Sequence, residues 1–142
     1  AFDFDNMNRA FREVIDGAAF LALAKNRAFM AEDGKLSLDA GAFVTALEYS
    51  SEKQATVLGK PSADFFKAAL ASMDCAPEVA VMVGDDAESD VSGALKAGLA
   101  HAILVRSGKY RDGDEERFDP PPTAVAEDLE AAAAWILDHR TA

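Results

Sequence analysis

The stretch Val79-Ala80-Val81-Met82-Val83-Gly84-Asp85-Asp86-Ala87-Glu88-Ser89-Asp90 decides the fold of this chain. Val79 to Val83 are all apolar, with the length and β-branching of a strand buried on both faces. Asp85, Asp86 and Asp90 then fall within six residues, where that strand should end. A helix-like segment, Val91 to Ala97, follows and is closed by Gly98. Acids at the carboxyl end of a parallel strand stand where open α/β sheets bind ligands. Such carboxylates repel one another unless a cation joins them. Hard oxygen donors without nearby histidine favour Mg²⁺ over zinc.

A competing reading makes this an acidic, solvated loop with Asp90 capping the next helix. A calcium loop of the EF-hand type is excluded. Val91 stands where that loop needs glycine, and no glutamate closes it.

Gly59-Lys60-Pro61-Ser62 carries the second signal. It follows the strand-like run Ala55 to Leu58, and Ser62 suits a helix N-cap. Phe66, Ala69, Leu70 and Met73 continue at helical spacing. A lysine held between a strand end and a helix start can point into the crevice of Asp85. There it can neutralise a phosphate and a neighbouring carboxylate. Alone, the tripeptide is a weak signal and reads better as a surface lysine; its place one strand upstream of the acidic loop is what strengthens it.

Together, Gly59-Lys60-Pro61-Ser62, Gly84-Asp85-Asp86, Asp90 and Gly93-Ala94 resemble the third and fourth motifs of the haloacid dehalogenase superfamily. Phe43 to Tyr49 before the lysine, Ser107-Gly108-Lys109-Tyr110-Arg111 and Pro120 to Pro122 narrow the likeness. They resemble the branch with a large α/β (C2-type) cap inserted before the lysine motif. The resemblance implies a Mg²⁺-dependent phosphohydrolase acting on a small phosphorylated substrate. It implies Asp85 and Asp86 at the metal, with Asp86 in the outer shell. It implies Asp90 holding a metal-bound water or orienting Lys60, and Lys60 balancing the phosphoryl charge. Lys25, Asn26 and Arg27 follow a cap strand and are candidates for reading the leaving group, or a solvated turn.

In that superfamily the nucleophile is an aspartate at the end of the first core strand, which becomes an aspartyl-phosphate. Neither that motif nor the following serine or threonine motif is recognisable here, so the chain is expected to begin inside the cap. Asp3-Phe4-Asp5 has the Asp-x-Asp form, but only Ala1 and Phe2 precede it. Met7, Phe11, Val14 and Ile15 follow in an amphipathic helix pattern, so Asp3 or Asp5 is expected to cap that helix. No nucleophile is therefore assigned, and the isolated chain is expected to be inactive. The alternative is a non-catalytic metal- or partner-binding domain derived from that fold. Without a neighbour for its acidic strand, the chain is expected to form a homo-oligomer or to associate with the missing amino-terminal half.

The composition agrees. A chain of 142 residues buries one ordinary core. A net charge of −11 argues against nucleic acid. No apolar run approaches a membrane span, and the first residues given lack the basic-then-apolar profile of a secretion signal, which says nothing of any residues before them. Cys75, the single cysteine, excludes an internal disulfide and a cysteine zinc cluster, and suits a reducing cytoplasm. His101 and His139 read as structural.

Along the chain, residues 5–16 read as a helix, 20–24 and 36–38 as strands, and Asp39 as the cap of a helix carrying Phe43, Val44 and Leu47. Strands at 55–58, 79–83 and 101–105 alternate with helices at 63–73, 89–97 and 128–139. This alternation predicts an α/β fold, a Rossmann-like parallel sheet flanked by helices, with part of an α/β cap. Residues 1–38 are assigned to the distal cap and 39–142 to the carboxy-terminal part of the core. The loop 107–122, with its three prolines, is expected to be exposed. Leu129, Ala132, Ala133 and Ile136 are expected to face the sheet, with Trp135 on its flank.

Overall fold

A computed structural model of the chain describes residues 3–139. They divide into two compact units, one ending at Gly59 and the other starting at Lys60.

The first unit opens with α1 (Phe4–Ile15). The capping expectation holds: Asp3 Oδ1 accepts the Asn6 amide at 2.9 Å. α1 packs on α2 (Ala40–Ser51), which Asp39 caps through the Ala40 amide. β1 (Leu21–Ala22) pairs in parallel with β4 (Thr56–Val57). Both are shorter than the apolar runs suggested. A strand that escaped the sequence reading, β2 (Ala28–Met30), forms an antiparallel hairpin with β3 (Leu36–Leu38). The hairpin turns at Gly34, whose positive φ of 74° suits glycine.

The second unit is built on a three-stranded parallel sheet whose strands lie side by side in chain order. β5 is Val81–Gly84, β6 is His101–Val105 and β7 is Ala124–Ala126. Register runs Val81 to His101 and Ile103 to Ala124. β6 is central, and its side chains divide between the two faces. Ala102 and Leu104 join Phe66 and Leu70 of α3 (Ala63–Ser72), with Val91 and Ala94, in one core. Ile103 and Val105 join Ala132 of α5 (Leu129–Asp138) in the other. Helices therefore cover both faces, as a parallel sheet requires.

Several details differ from expectation. Val79 belongs to a 3₁₀ turn opened by Pro77, and the strand begins at Val81. Residues 87–92 form a π-helical turn, and only Gly93–Lys96 (α4) are α-helical. β7 was unread because three residues after a proline run give almost no period. Part of the 107–122 loop is packed rather than exposed: Tyr110 and Phe118 lie against the core, and Asp114 is buried. On α5, Ala132 is buried while Leu129 and Ala133 are exposed. A short helix over a three-stranded sheet has room for one narrow stripe. Among the described residues, no helix is long and apolar enough to cross a membrane.

Candidate active site

The acidic stretch lies at the carboxyl end of β5, and the chain leaves the strand through a wide turn. The Val91 amide reaches back to the Asp86 carbonyl at 3.2 Å, five residues earlier. Such π turns recur at functional sites. Here the extra residue places Asp90 under the loop rather than at a helix cap.

Asp90 is buried, with its side chain 5% exposed. Its Oδ2 accepts the Asp86 amide at 3.2 Å, which closes the loop. Its Oδ1 lies 2.5 Å from Lys60 Nζ, which is 36% exposed. The residue following Lys60 shares in that placement. A Cβ added at Gly93 would lie 2.7 Å from Pro61 Cβ, so the bare glycine admits the Lys60-Pro61 segment. The structure thus brings together Lys60 and Asp90, which are 30 residues apart in sequence.

Asp86 takes the cap that the sequence reading considered for Asp90. Its Oδ1 accepts the Glu88 and Ser89 amides at 3.0 and 2.9 Å. Its Oδ2 lies 2.7 Å from Lys109 Nζ. Burial works to raise its pKa. The Lys109 bond, the Ser89 amide, the Lys109 charge and the Glu88 amide together outweigh burial and hold it below the usual carboxylate range. Burial likewise works to lower the pKa of Lys109, but the Asp86 bond and the charges of Asp86, Asp85 and Asp90 keep it above the usual lysine value. Asp85 Oδ2 accepts the Lys109 amide at 2.8 Å.

Lys109 lies in the Ser107–Arg111 segment that narrows the resemblance, but the sequence assigns it no role in the site. Its signal was available: a Gly-Lys pair just beyond the strand that neighbours β5. Ser62, expected to cap α3, occupies the cap position without a side-chain bond.

In the amino-terminal unit, Lys25 Nζ is bonded to Glu48 Oε2 at 2.6 Å. Glu48 is buried, and its Oε1 accepts the Ala55 amide at 3.0 Å. The carbonyls of Asn26 and Arg27 accept the Gly41 and Asp39 amides. This triplet therefore ties the end of β1 to α2. An apolar cleft of about 360 Å³ between α1 and α2, lined by Phe4, Met7, Phe11 and Leu47, has no acid or base in its wall among the described residues.

Mg²⁺ is the cation to test against these donors. Among the described residues no three Asp, Glu, His or Cys side chains are grouped to hold a metal. Mg²⁺ asks for less than that. It keeps several waters and takes one or two carboxylates. Asp85 has one oxygen bonded to a backbone amide, and its carboxylate is a hard donor at a strand end. The residues fit a largely hydrated Mg²⁺ at Asp85, and not a zinc site.

A parallel sheet with this lysine and these aspartates at the end of β5 has the arrangement of the haloacid dehalogenase-like class of folds. The chain belongs to the HAD-hydrolase-like family, which it matches over residues 57–132. It is similar to haloacid dehalogenase-like hydrolase domain-containing protein 2 of Mus musculus, at 47% identity over 97% of this chain and 52% of that protein. It is also similar to phospholysine phosphohistidine inorganic pyrophosphate phosphatase of Danio rerio, at 42% identity over 98% of this chain and 52% of that protein. The chain thus spans about half the length of the curated relatives it matches. Among solved structures, p-nitrophenyl phosphatase from Archaeoglobus fulgidus superposes with a TM-score of 0.81 and 27% identity, over 94% of this chain and 52% of that one. Glycerol phosphate phosphatase from Mycobacterium tuberculosis, in complex with magnesium, gives a TM-score of 0.77 and 27% identity, over 91% of this chain and 39% of that one.

Proposed function

We propose that these residues supply the charge-balancing part of a Mg²⁺-dependent phosphohydrolase site for a small phosphorylated substrate. The observation that carries this reading is the Lys60–Asp90 pair, its carboxylate buried and its ammonium partly exposed, at the end of β5 where Asp85 also lies. The relatives named phosphatases support it, one of them crystallised with magnesium.

In this reading Asp85 holds the cation, and Asp86 serves in its outer shell. Mg²⁺, when bound, neutralises phosphate charge and aligns the phosphoryl group. Asp90 anchors Lys60 from beneath, so the ammonium stays near the crevice without a flexible search. Lys60 then offsets the charge that builds on the phosphoryl oxygens. Lys25, Asn26 and Arg27 are proposed as the cap segment that reads the leaving group, with Lys25 held in place by Glu48. Residues 1–38 are taken as cap and 39–142 as core by descent, and a cytoplasmic setting suits the single free thiol.

The aspartate nucleophile is proposed to lie outside these 142 residues. Asp3 supports this, since both its oxygens bond to Asn6. The second reading, a metal- or partner-binding domain without turnover, is favoured by the way two lysines already balance Asp86 and Asp90.

Titration of this chain with Mg²⁺ should shift the amide resonances of residues 84–90, and Asp85→Asn should abolish the response. An unchanged response in that variant sinks the metal assignment. The chain alone should not hydrolyse p-nitrophenyl phosphate with Mg²⁺. Turnover that is lost in Asp3→Asn would make Asp3-Phe4-Asp5 the nucleophile motif after all.

A further inference from the structure

After β6 the chain turns back over the acidic loop at Ser107-Gly108-Lys109. Gly108 has a φ of 59°, and a Cβ there would overlap the Asp85 carboxylate. Only glycine allows the backbone so close. The next residue then binds two acids with two different donors. Its amide goes to Asp85 Oδ2 at 2.8 Å, and its ammonium to Asp86 Oδ2 at 2.7 Å. Lys109 is 21% exposed and Asp86 17%, so water screens this pair only weakly.

The donors are shared unequally. Glu88 and Ser89 occupy Asp86 Oδ1, and Lys109 occupies Oδ2. Both Asp86 oxygens are engaged by the chain itself. Among the described residues, the Lys109 amide on Oδ2 leaves the other Asp85 oxygen, Oδ1, without a hydrogen-bond donor. Two adjacent carboxylates at one strand end would otherwise compete for one cation.

We propose that Lys109 is a positioning residue that withholds Asp86 from the cation and leaves Asp85 as the single direct carboxylate ligand. This rests on the reading of Asp85 as the cation's carboxylate. The clamp lowers the negative charge that a cation meets from two carboxylates to one. A hydrated Mg²⁺ is held that way without being buried in a rigid cage. The Gly108 turn fixes the Asp85 side of the clamp through the backbone, so the two halves depend on separate atoms of Lys109, its amide and its ammonium.

The test uses Mn²⁺ alone on the chain labelled with ¹³C at its aspartate carboxyls, read by electron-nuclear double resonance. The parent should show strong coupling from one carboxyl, lost in Asp85→Asn. Lys109→Arg, which keeps the charge, should do the same as the parent. Lys109→Met should release Asp86, add a second coupled carboxyl, and tighten Mn²⁺ roughly three- to tenfold as ligand charge rises. The second coupling should vanish in Lys109→Met with Asp86→Asn. Loss of a remote charge alone would tighten binding without a second coupling, and would overturn the assignment. So would two coupled carboxyls in the parent. If Lys109→Met does not fold, Lys109→Gln takes its place with the same two outcomes. A parent in which Asp85 shows no coupling at all overturns the functional reading, and this assignment with it.

Discussion

Lys60 Nζ stands 2.5 Å from Asp90 Oδ1, and the two differ in exposure: the carboxylate is buried and the ammonium reaches the surface. The acid therefore depends on the base more than the base on the acid. Removing Lys60 leaves a buried charge with one amide partner. Lys60→Met should destabilise the second unit by about 1–3 kcal/mol, below the full cost of breaking a buried pair because Lys60 is partly solvated. Asp90→Asn should cost less, since an amide oxygen can still accept the Asp86 amide. Urea denaturation of both variants checks the order. A Lys60→Met chain as stable as the parent would show that water reaches Asp90.

Gly84 ends β5 against the Asp90 carboxylate, and an added Cβ would overlap that side chain. Because Asp90 is held by Lys60 and by the Asp86 amide, it cannot step aside cheaply. Gly84→Ala should therefore destabilise the unit by about 1–3 kcal/mol, the usual cost of forcing atoms into a packed site. It should also weaken the Lys60–Asp90 pair, seen as a shift of the Lys60 Nζ resonance. A neutral substitution would mean that the turn is looser than its bonds imply.

Much of this was legible beforehand, for reasons that show where legibility stops. The strand at 101–105 matches β6 because both its faces are buried from Ala102 to Val105, so those four residues are apolar, and only His101 at its exposed start is polar. Asp85, Asp86 and Asp90 announce themselves as acids after an apolar run. Lys109 does not, because it meets Asp85 across 24 residues of sequence, and a lysine in a turn resembles any surface lysine. Glu48 is hidden for the opposite reason. It sits on a mainly apolar helix, where a glutamate reads as solvent-facing, yet it is buried against Lys25 and Ala55. β2 failed because Ala28-Phe29-Met30 is too short to show a period, and only its hairpin partner makes it a strand.

The Glu48 anchor carries a pH dependence of defined sign. The Lys25 bond is the chief cause, opposed by burial and helped by the Ala55 amide and the Lys25 charge, and the pKa of Glu48 lies below its ordinary value of 4.5. A carboxyl depressed on folding contributes stability that is complete above its unfolded pKa. That stability is lost as pH falls through the folded value. The stability difference between the parent and Glu48→Gln should therefore be constant above about pH 5.5 and shrink below about pH 4.5. Hydrogen exchange at the Ala55 amide, which Glu48 accepts, reports this locally. A difference that grows on acidification would reverse the assigned direction.

The last prediction concerns association. Among the described residues β5 pairs only with β6, so one side of the acidic strand presents backbone groups without a sheet partner. Exposed edges of this kind recruit further strands. Val79, just before the strand, is largely exposed, and so are Leu23, Leu38 and Tyr49 in the first unit. The chain should therefore self-associate at micromolar concentration, with β5 in the contact. Light scattering should give a mass above the 15.1 kDa of one chain. Val79→Lys, placing a charge at the exposed approach to β5, should shift the population toward the monomer, as edge charges do in natural sheets. A parent chain that stays monomeric and melts cooperatively would show that the sheet needs no neighbour at β5.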